Sequence, residues 1–156
     1  RLDEFLRQTA ARYESQARRQ QIRFRCELPD VPVPGEFDED RLDQIFSNLL
    51  GNALKFTPAG GAVTLRLTTT DDGWATVQIE DTGPGIPPPD LPRIFERFYR
   101  GEQENGSLPG TGLGLAVARE CVQMHGGEIR AENRPEGGAR FTVRLPGSAR
   151  ASGCGG

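Results

Sequence analysis

Two periodicities divide this chain. Leu2, Phe5, Leu6, Thr9, Ala10, Tyr13 and Ala17 recur at helical spacing and predict an amphipathic helix ending in the polar run from Arg18 to Gln21. Ile22, Phe24, Cys26 and Leu28 then alternate with Arg23, Arg25 and Glu27, the pattern of a strand with one buried face. A second helical face follows in Leu42, Ile45, Phe46, Leu49, Ala53 and Phe56, with Asp38 placed to cap it and TPAGG (57–61) to end it. Val63, Leu65 and Leu67 alternate with Thr64, Arg66 and Thr68. Asp71, Asp72 and Gly73 turn the chain into another alternating run from Trp74 to Asp81, so the pair reads as a β-hairpin. Asp90 is placed to cap a short helix containing IFERFYR (94–100), in which Phe95 and Phe98 pack while Arg97 and Arg100 stay polar. Leu113, Val117, Cys121 and Met124 pattern a further helix that Gly126 ends, and a second hairpin joins Ile129 and Ala131 to Phe141, Val143 and Leu145 across RPEGG.

Within the helix over Arg41 to Thr57 the polar residues are also ordered. At about 100° per residue, Asn48, Asn52 and Lys55 fall within roughly 60° of one another, to one side of the apolar arc. Amide oxygens ligate a hard cation such as Mg²⁺, which shares its remaining positions with substrate phosphates, and a lysine adds a point charge to those phosphates. The stripe therefore suggests a Mg-nucleotide site; the plain alternative is a solvated helix flank. In the hairpin, Ala75, Val77 and Ile79 share a face, and the period of two puts Asp81 on it as well. A carboxylate there needs a partner, either a ligand or, as a turn residue, the amides of Thr82 and Gly83. Gly83 and Gly85 around Pro84 allow a ligand to approach the backbone, with Ile86 as an apolar wall. Residues 101–110 form a polar, glycine-bearing loop with little to bury, which predicts a mobile lid. It leads into GTGLGLAVA (110–118), a glycine-rich helix start whose N–H groups and dipole suit a phosphate, or else a flexible loop before an ordinary helix.

Composition changes this picture little. The 156 residues suit one domain with its own core, the net charge of -3 excludes a nucleic-acid footprint, and no apolar run is long enough to cross a bilayer, so no direct membrane contact is expected. Cys26, Cys121 and Cys154 have no metal spacing and read as reduced thiols in a cytoplasmic setting, with Cys26 and Cys121 in the core. The one histidine, His125, sits in a last helical turn and is expected to interact with that helix terminus. Arg1 in place of a start methionine suggests a piece of a longer polypeptide, and the tail 147–156 reads as flexible.

Taken together, NLLGNALKFT, DTGPGIP, IFERFYR and GTGLGLAVA resemble, in order and approximate spacing, the N, G1, F and G2 boxes of the catalytic, ATP-binding domain of sensor histidine kinases. The resemblance covers about Ile22 to Leu145. It implies an α+β fold, the Bergerat two-layer sandwich of a mixed sheet with helices on one face, shared with gyrase, Hsp90 and MutL ATPases. The cofactors it implies are ATP and Mg²⁺, with Asn52 the metal ligand and Asn48, Lys55 and Arg100 the catalytic positions. Phe56 stands where the family has an aromatic beside the nucleotide, Asp81 accepts the adenine amino group, and Gly83, Gly85 and Ile86 shape the adenine pocket. Tyr99 and Arg100 lie at the lid's entry, and Gly110, Thr111, Gly112, Leu113, Gly114 and Leu115 at its exit beside the phosphates.

Related ATPases carry a water-activating glutamate one helical turn before the metal-binding asparagine; here that position is Asn48, and a carboxamide has no useful basicity. No H box with a phosphoacceptor is present, and His125 is in the wrong place to be one. The resemblance thus implies three segments: residues 1–21 as a helix connecting from an upstream dimerisation domain, 22–146 as the ATP-binding domain, and 147–156 as the tail. The implied partners are the histidine-bearing dimerisation domain of a parent kinase and a response regulator, with the parent a homodimer and the isolated domain a monomer. An anti-sigma-type serine kinase and a non-catalytic nucleotide-sensing module are the alternatives. Arg140 stands where many relatives carry Thr or Ser, which puts any nucleotide contact there in doubt.

Overall fold

The computed structural model describes residues 1–70, 72–96 and 114–146. Its elements run in the order α1 (Leu2–Arg19), β1 (Arg23–Glu27), α2 (Glu39–Phe56), β2 (Ala62–Thr69), β3 (Trp74–Asp81), a 3₁₀ turn (Leu91–Arg93), α3 (Gly114–Met124), β4 (Glu128–Asn133) and β5 (Ala139–Pro146). The strands form one five-stranded sheet in the order β1-β2-β3-β5-β4. β1 runs parallel to β2 and every other pair is antiparallel, so the sheet is mixed.

Alternation puts Val63, Leu65 and Leu67 of β2, Ala75, Val77 and Ile79 of β3, and Phe141, Val143 and Leu145 of β5 on a buried face. Against it pack Leu42, Ile45, Phe46, Leu49, Leu50, Ala53 and Leu54 of α2, Leu2, Leu6, Ala10 and Ala17 of α1, and Cys121 and Val122 of α3 in one continuous core. Two layers result because each element has only one apolar side to cover. Phe95 adds to this core edge-on against Phe141, with ring centroids 6.2 Å apart.

The opposite sheet face is polar, and its charges are paired from strand to strand. Arg66 of β2 reaches Glu27 of β1 at 2.8 Å and Glu80 of β3 at 3.6 Å. Arg140 of β5 reaches Glu80 at 2.6 Å and Glu132 of β4 at 3.0 Å. Arg140 is thus committed to two carboxylates across the sheet.

Asp38 caps α2 as expected, its side chain accepting from the N–H groups of Asp40 and Arg41. At the other end the Ala53 carbonyl accepts from both the Thr57 N–H at 3.1 Å and the Thr57 hydroxyl at 2.7 Å. α3 lies along α2 and is tied to it twice. The Cys121 thiol donates to Gln44 Oε1 at 3.2 Å, and the Asp38 N–H donates to His125 Nε2 at 3.0 Å. Since Nε2 accepts, Nδ1 carries the proton and donates to the Cys121 carbonyl at 2.9 Å. His125 therefore has the helix-terminal role expected of it and also joins that terminus to the cap of α2.

Three sequence expectations are corrected. Asp90 makes no capping bond. Its N–H already closes a turn on the Pro87 carbonyl and its backbone is helical, whereas an N-cap needs an extended one, so a 3₁₀ turn forms and residues 94–96 are not helical, while 97–100 of the expected helix lie outside the described residues. Cys26 is exposed, because β1 is the outermost strand; its register partner Leu65, one strand further in, is buried. Met124 is 61 % exposed at the last residue of α3, whose buried face is instead Ala116, Ala118, Cys121 and Val122.

Candidate functional site

The polar stripe on α2 exists as the helical period requires. Asn48 and Asn52 are half-buried, while Lys55 and Phe56 are exposed near the end of the helix. Phe56, the last residue of α2, is exposed although the helical period sets it on the apolar arc. Asn48 Nδ2 donates to the Gln44 carbonyl one turn back, at 2.7 Å, which fixes the amide and leaves Oδ1 for another partner. That oxygen faces the first residue of α3: a Cβ added to Gly114 would stand 2.9 Å from it. The middle of α2 and the start of α3 thus meet at Asn48, where first-turn N–H groups have no partner within their own helix.

At the other end of the stripe the same helix meets the end of β3. Asp81 is buried on the apolar face, level with Val63 in the register. Its Oδ1 accepts from the Gly83 N–H at 2.9 Å and the Ala139 N–H at 3.3 Å, and among the described residues Oδ2 accepts nothing. The turn reading of this carboxylate therefore holds through Oδ1, and Oδ2 has no donor among the described residues. Burial pushes the Asp81 carboxyl above its ordinary value, against the opposing pull of the two N–H groups and of Arg134. Gly83 lies against the Phe56 carbonyl, so the loop after β3 touches the end of α2.

The loop's far side rests on the β4–β5 hairpin. Asn133 Oδ1 accepts from the Ile86 N–H and its Nδ2 donates to the Ile86 carbonyl, both at 2.7 Å. Arg134 donates to the Asp81 carbonyl at 3.0 Å. Asn133, Arg134 and Gly138 carry no signature in sequence beyond that of a turn.

The structure accordingly brings Asn48 together with Gly114, and Phe56 together with Asp81, Gly83 and, through the loop, Gly85 and Ile86. Leu115 is half-buried in the first turn of α3. Tyr99, Arg100, Gly110, Thr111, Gly112 and Leu113, with the expected lid over 101–110, lie outside the described residues. Among the described residues no helix is long and apolar enough to cross a membrane. Nor do His, Cys, Asp or Glu side chains gather there in threes as a metal site.

Comparison with known proteins adds four findings. The family profile for histidine kinase-, DNA gyrase B- and HSP90-like ATPases matches residues 37–149. The signal transduction histidine-protein kinase AfsQ2 of Streptomyces coelicolor is 46 % identical over 114 residues, which is 73 % of this chain but 21 % of that protein. Among solved structures, full-length ShkA in complex with AMPPNP is similar at a TM-score of 0.80 and 34 % identity, covering 94 % of this chain and 30 % of ShkA. The histidine kinase ThkA, crystallised with the response regulator protein TrrA, is similar at a TM-score of 0.77 and 27 % identity, covering 93 % of this chain and 40 % of ThkA.

Proposed function

This chain belongs to the histidine kinase-, DNA gyrase B- and HSP90-like ATPase family and is the catalytic ATPase domain of a sensor histidine kinase; from that premise we propose that it binds Mg²⁺-ATP and donates the γ-phosphoryl group to a histidine on a separate dimerisation domain. The strip of α2 from Phe56 back to Asn48 is about 12 Å long at 1.5 Å per residue. It leads from Asp81, the base acceptor in this reading, to the glycine start of α3, the span that the sugar and phosphates would bridge.

Asp81 Oδ2 suits the adenine amino group as acceptor, and Gly83, Gly85 and Ile86 shape the base pocket beside Phe56. Asn52 ligates the cation through its amide oxygen, while Asn48 Oδ1 and the exposed Lys55 flank the phosphates. The donor set fits Mg²⁺, a hard ion that pairs few protein oxygens with substrate phosphates and needs no cluster of carboxylates. When bound, Mg²⁺ supplies neutralisation of phosphate charge. Arg100, Tyr99 and the segment from Gly110 to Leu113 retain the lid roles that the family resemblance implies. A response regulator is the downstream partner, the class of protein with which ThkA was crystallised.

The observation that carries this reading is Asn48. A carboxamide held by Gln44 and turned toward α3 takes no proton from water at neutral pH, so the site is suited to keep the terminal phosphate until another nucleophile arrives. An imidazole nitrogen of the acceptor then forms its bond to phosphorus as the bond to the bridging oxygen breaks and ADP departs. Incubated with radiolabelled ATP, this chain alone is expected to hydrolyse slowly and take up no label. Mixed with the dimerisation domain of its parent kinase, it is expected to label that fragment with an acid-labile, alkali-stable phosphate. Brisk hydrolysis by the chain alone, or acid-stable phosphoserine on the fragment, would overturn the assignment.

A second expectation concerns Asp81 and separates stability from recognition. The raised folded-state pKa means that the folded chain holds this proton more tightly than the unfolded chain, so ionising Asp81 lowers stability as pH rises through that value. Asp81→Asn keeps an oxygen for the Gly83 and Ala139 N–H groups and removes the buried charge. The variant is expected to melt higher than wild type at pH 7, with the gap closing as pH falls below the ordinary carboxylate value. Its amide presents donors where adenine also donates, so ATP affinity should fall about tenfold or more. Thermal melts across pH and competition by ATP and GTP check both halves; lower melting at pH 7 contradicts the first and an unchanged ATP preference the second.

A further inference from the structure

We infer that Asn133 is a positioning residue for nucleobase selection, holding the loop after Asp81 in its binding shape through both main-chain polar atoms of Ile86. The inference rests on the ATP-binding reading above and adds to it a residue outside the four motif boxes.

The loop from Thr82 to Ile86 leaves the sheet at the end of β3 and contains two glycines and a proline, so its sequence provides little shape of its own. Gly85 sits at φ +83°, in the left-handed region, and its Cα faces Asn133 so closely that a Cβ would stand 2.9 Å from Oδ1. What holds the far end of the loop is the Asn133 carboxamide, which accepts from the Ile86 N–H and donates to the Ile86 carbonyl at 2.7 Å each. The two bonds act as a neighbouring strand would, pairing one residue's donor and acceptor from a single planar group. An aspartate lacks the donor and an alanine lacks both groups.

Asn133 is well placed to set the pocket because its own position is tied to the base acceptor. It is the last residue of β4, in register with Ala139 of β5, whose N–H donates to Asp81 Oδ1. Arg134, the next residue, donates to the Asp81 carbonyl. One hairpin end therefore fixes both the acid that receives the base and the apolar residue that walls it, and the distance between them follows from that hairpin. The phosphate end of the site, at Asn48 and Gly114, makes none of these contacts.

The test uses Asn133→Ala and Asn133→Asp in the full chain, with two readouts. The first is hydrogen exchange of the Ile86 amide without nucleotide. The second is the affinity for ATP and GTP, from competition against a fluorescent ATP analogue with and without Mg²⁺. Asn133 is exposed at a strand end, and thermal melts confirm that the variants fold. In Asn133→Ala, Ile86 is expected to exchange about tenfold faster and the preference for ATP over GTP to fall about tenfold, two exposed hydrogen bonds being lost. The gain in affinity from Mg²⁺ should stay as in wild type. Asn133→Asp keeps the acceptor for the Ile86 N–H, so its exchange should remain near wild type and its base preference fall by less. Unchanged exchange in Asn133→Ala would overturn the clamp, and faster exchange with an unchanged base preference would reduce Asn133 to a structural residue. A wild-type chain that binds no ATP would overturn the functional reading and this role with it. The Ile86 exchange, measured without nucleotide, would then show that the failure lay in the ligand and not in the clamp.

Discussion

Replacing Asn52 with alanine is expected to lower Mg²⁺-dependent ATP affinity about a hundredfold, equivalent to ~2.7 kcal/mol, and to leave stability almost unchanged. Asn52 sits between Leu49 and Leu50 on one side and Ala53 and Leu54 on the other, all four buried, yet is itself only half-buried. Its amide makes no hydrogen bond among the described residues, so truncation leaves no buried donor or acceptor unpaired. Alanine is also the better helix former, by a few tenths of a kcal/mol. The loss should therefore fall on the cation and, through it, on the phosphates. Titration with a fluorescent ATP analogue, with and without Mg²⁺, reads the effect, and a thermal melt reads the fold. A variant whose affinity still rises with Mg²⁺ as in wild type would take Asn52 out of the metal site.

Gly138→Ala should do the opposite and damage fold and site together. Gly138 is buried at φ +89°, where a side chain is strained by about 1–2 kcal/mol. The added Cβ would lie 1.9 Å from the Asp81 carbonyl oxygen and 3.0 Å from Thr82 Cα, both backbone atoms that no rotamer change can clear. Forcing the hairpin away adds about 1–3 kcal/mol of overpacking. It also withdraws the Ala139 N–H from Asp81 Oδ1, so base recognition should weaken as well. Urea denaturation together with ATP and GTP competition measures the two effects. Wild-type stability in this variant would mean that the turn yields without disturbing β3.

The sequence is most informative where a structural signal is local. The 3.6-residue period of α2 carried both its buried arc and the stripe of Asn48, Asn52 and Lys55, and the strand period put Asp81 on an apolar face. The sequence is silent where the partner is distant. Asn133 meets Ile86 across 47 residues and His125 meets Asp38 across 87, and nothing near any of these positions marks the contact. Cys26 was misread for a related reason, since alternation identifies a strand's inner face but not which strand lies at the edge. Asp90 was misread because a capping residue is recognised by type, while the turn begun at Pro87 had already fixed its backbone.

The paired charges on the open sheet face constrain the strand order. Read from β1 to β4 across the sheet, Glu27, Arg66, Glu80, Arg140 and Glu132 alternate strictly in sign. Exchanging any two adjacent strands would set two carboxylates or two guanidiniums side by side, and like charges directly opposite each other are destabilising. The apolar face carries no such record, because valine, leucine and isoleucine pack acceptably against one another in many arrangements. Each ion pair adds little by itself. As a series they oppose every exchange of neighbouring strands, so the solvent side of the sheet narrows the strand orders that its core leaves open.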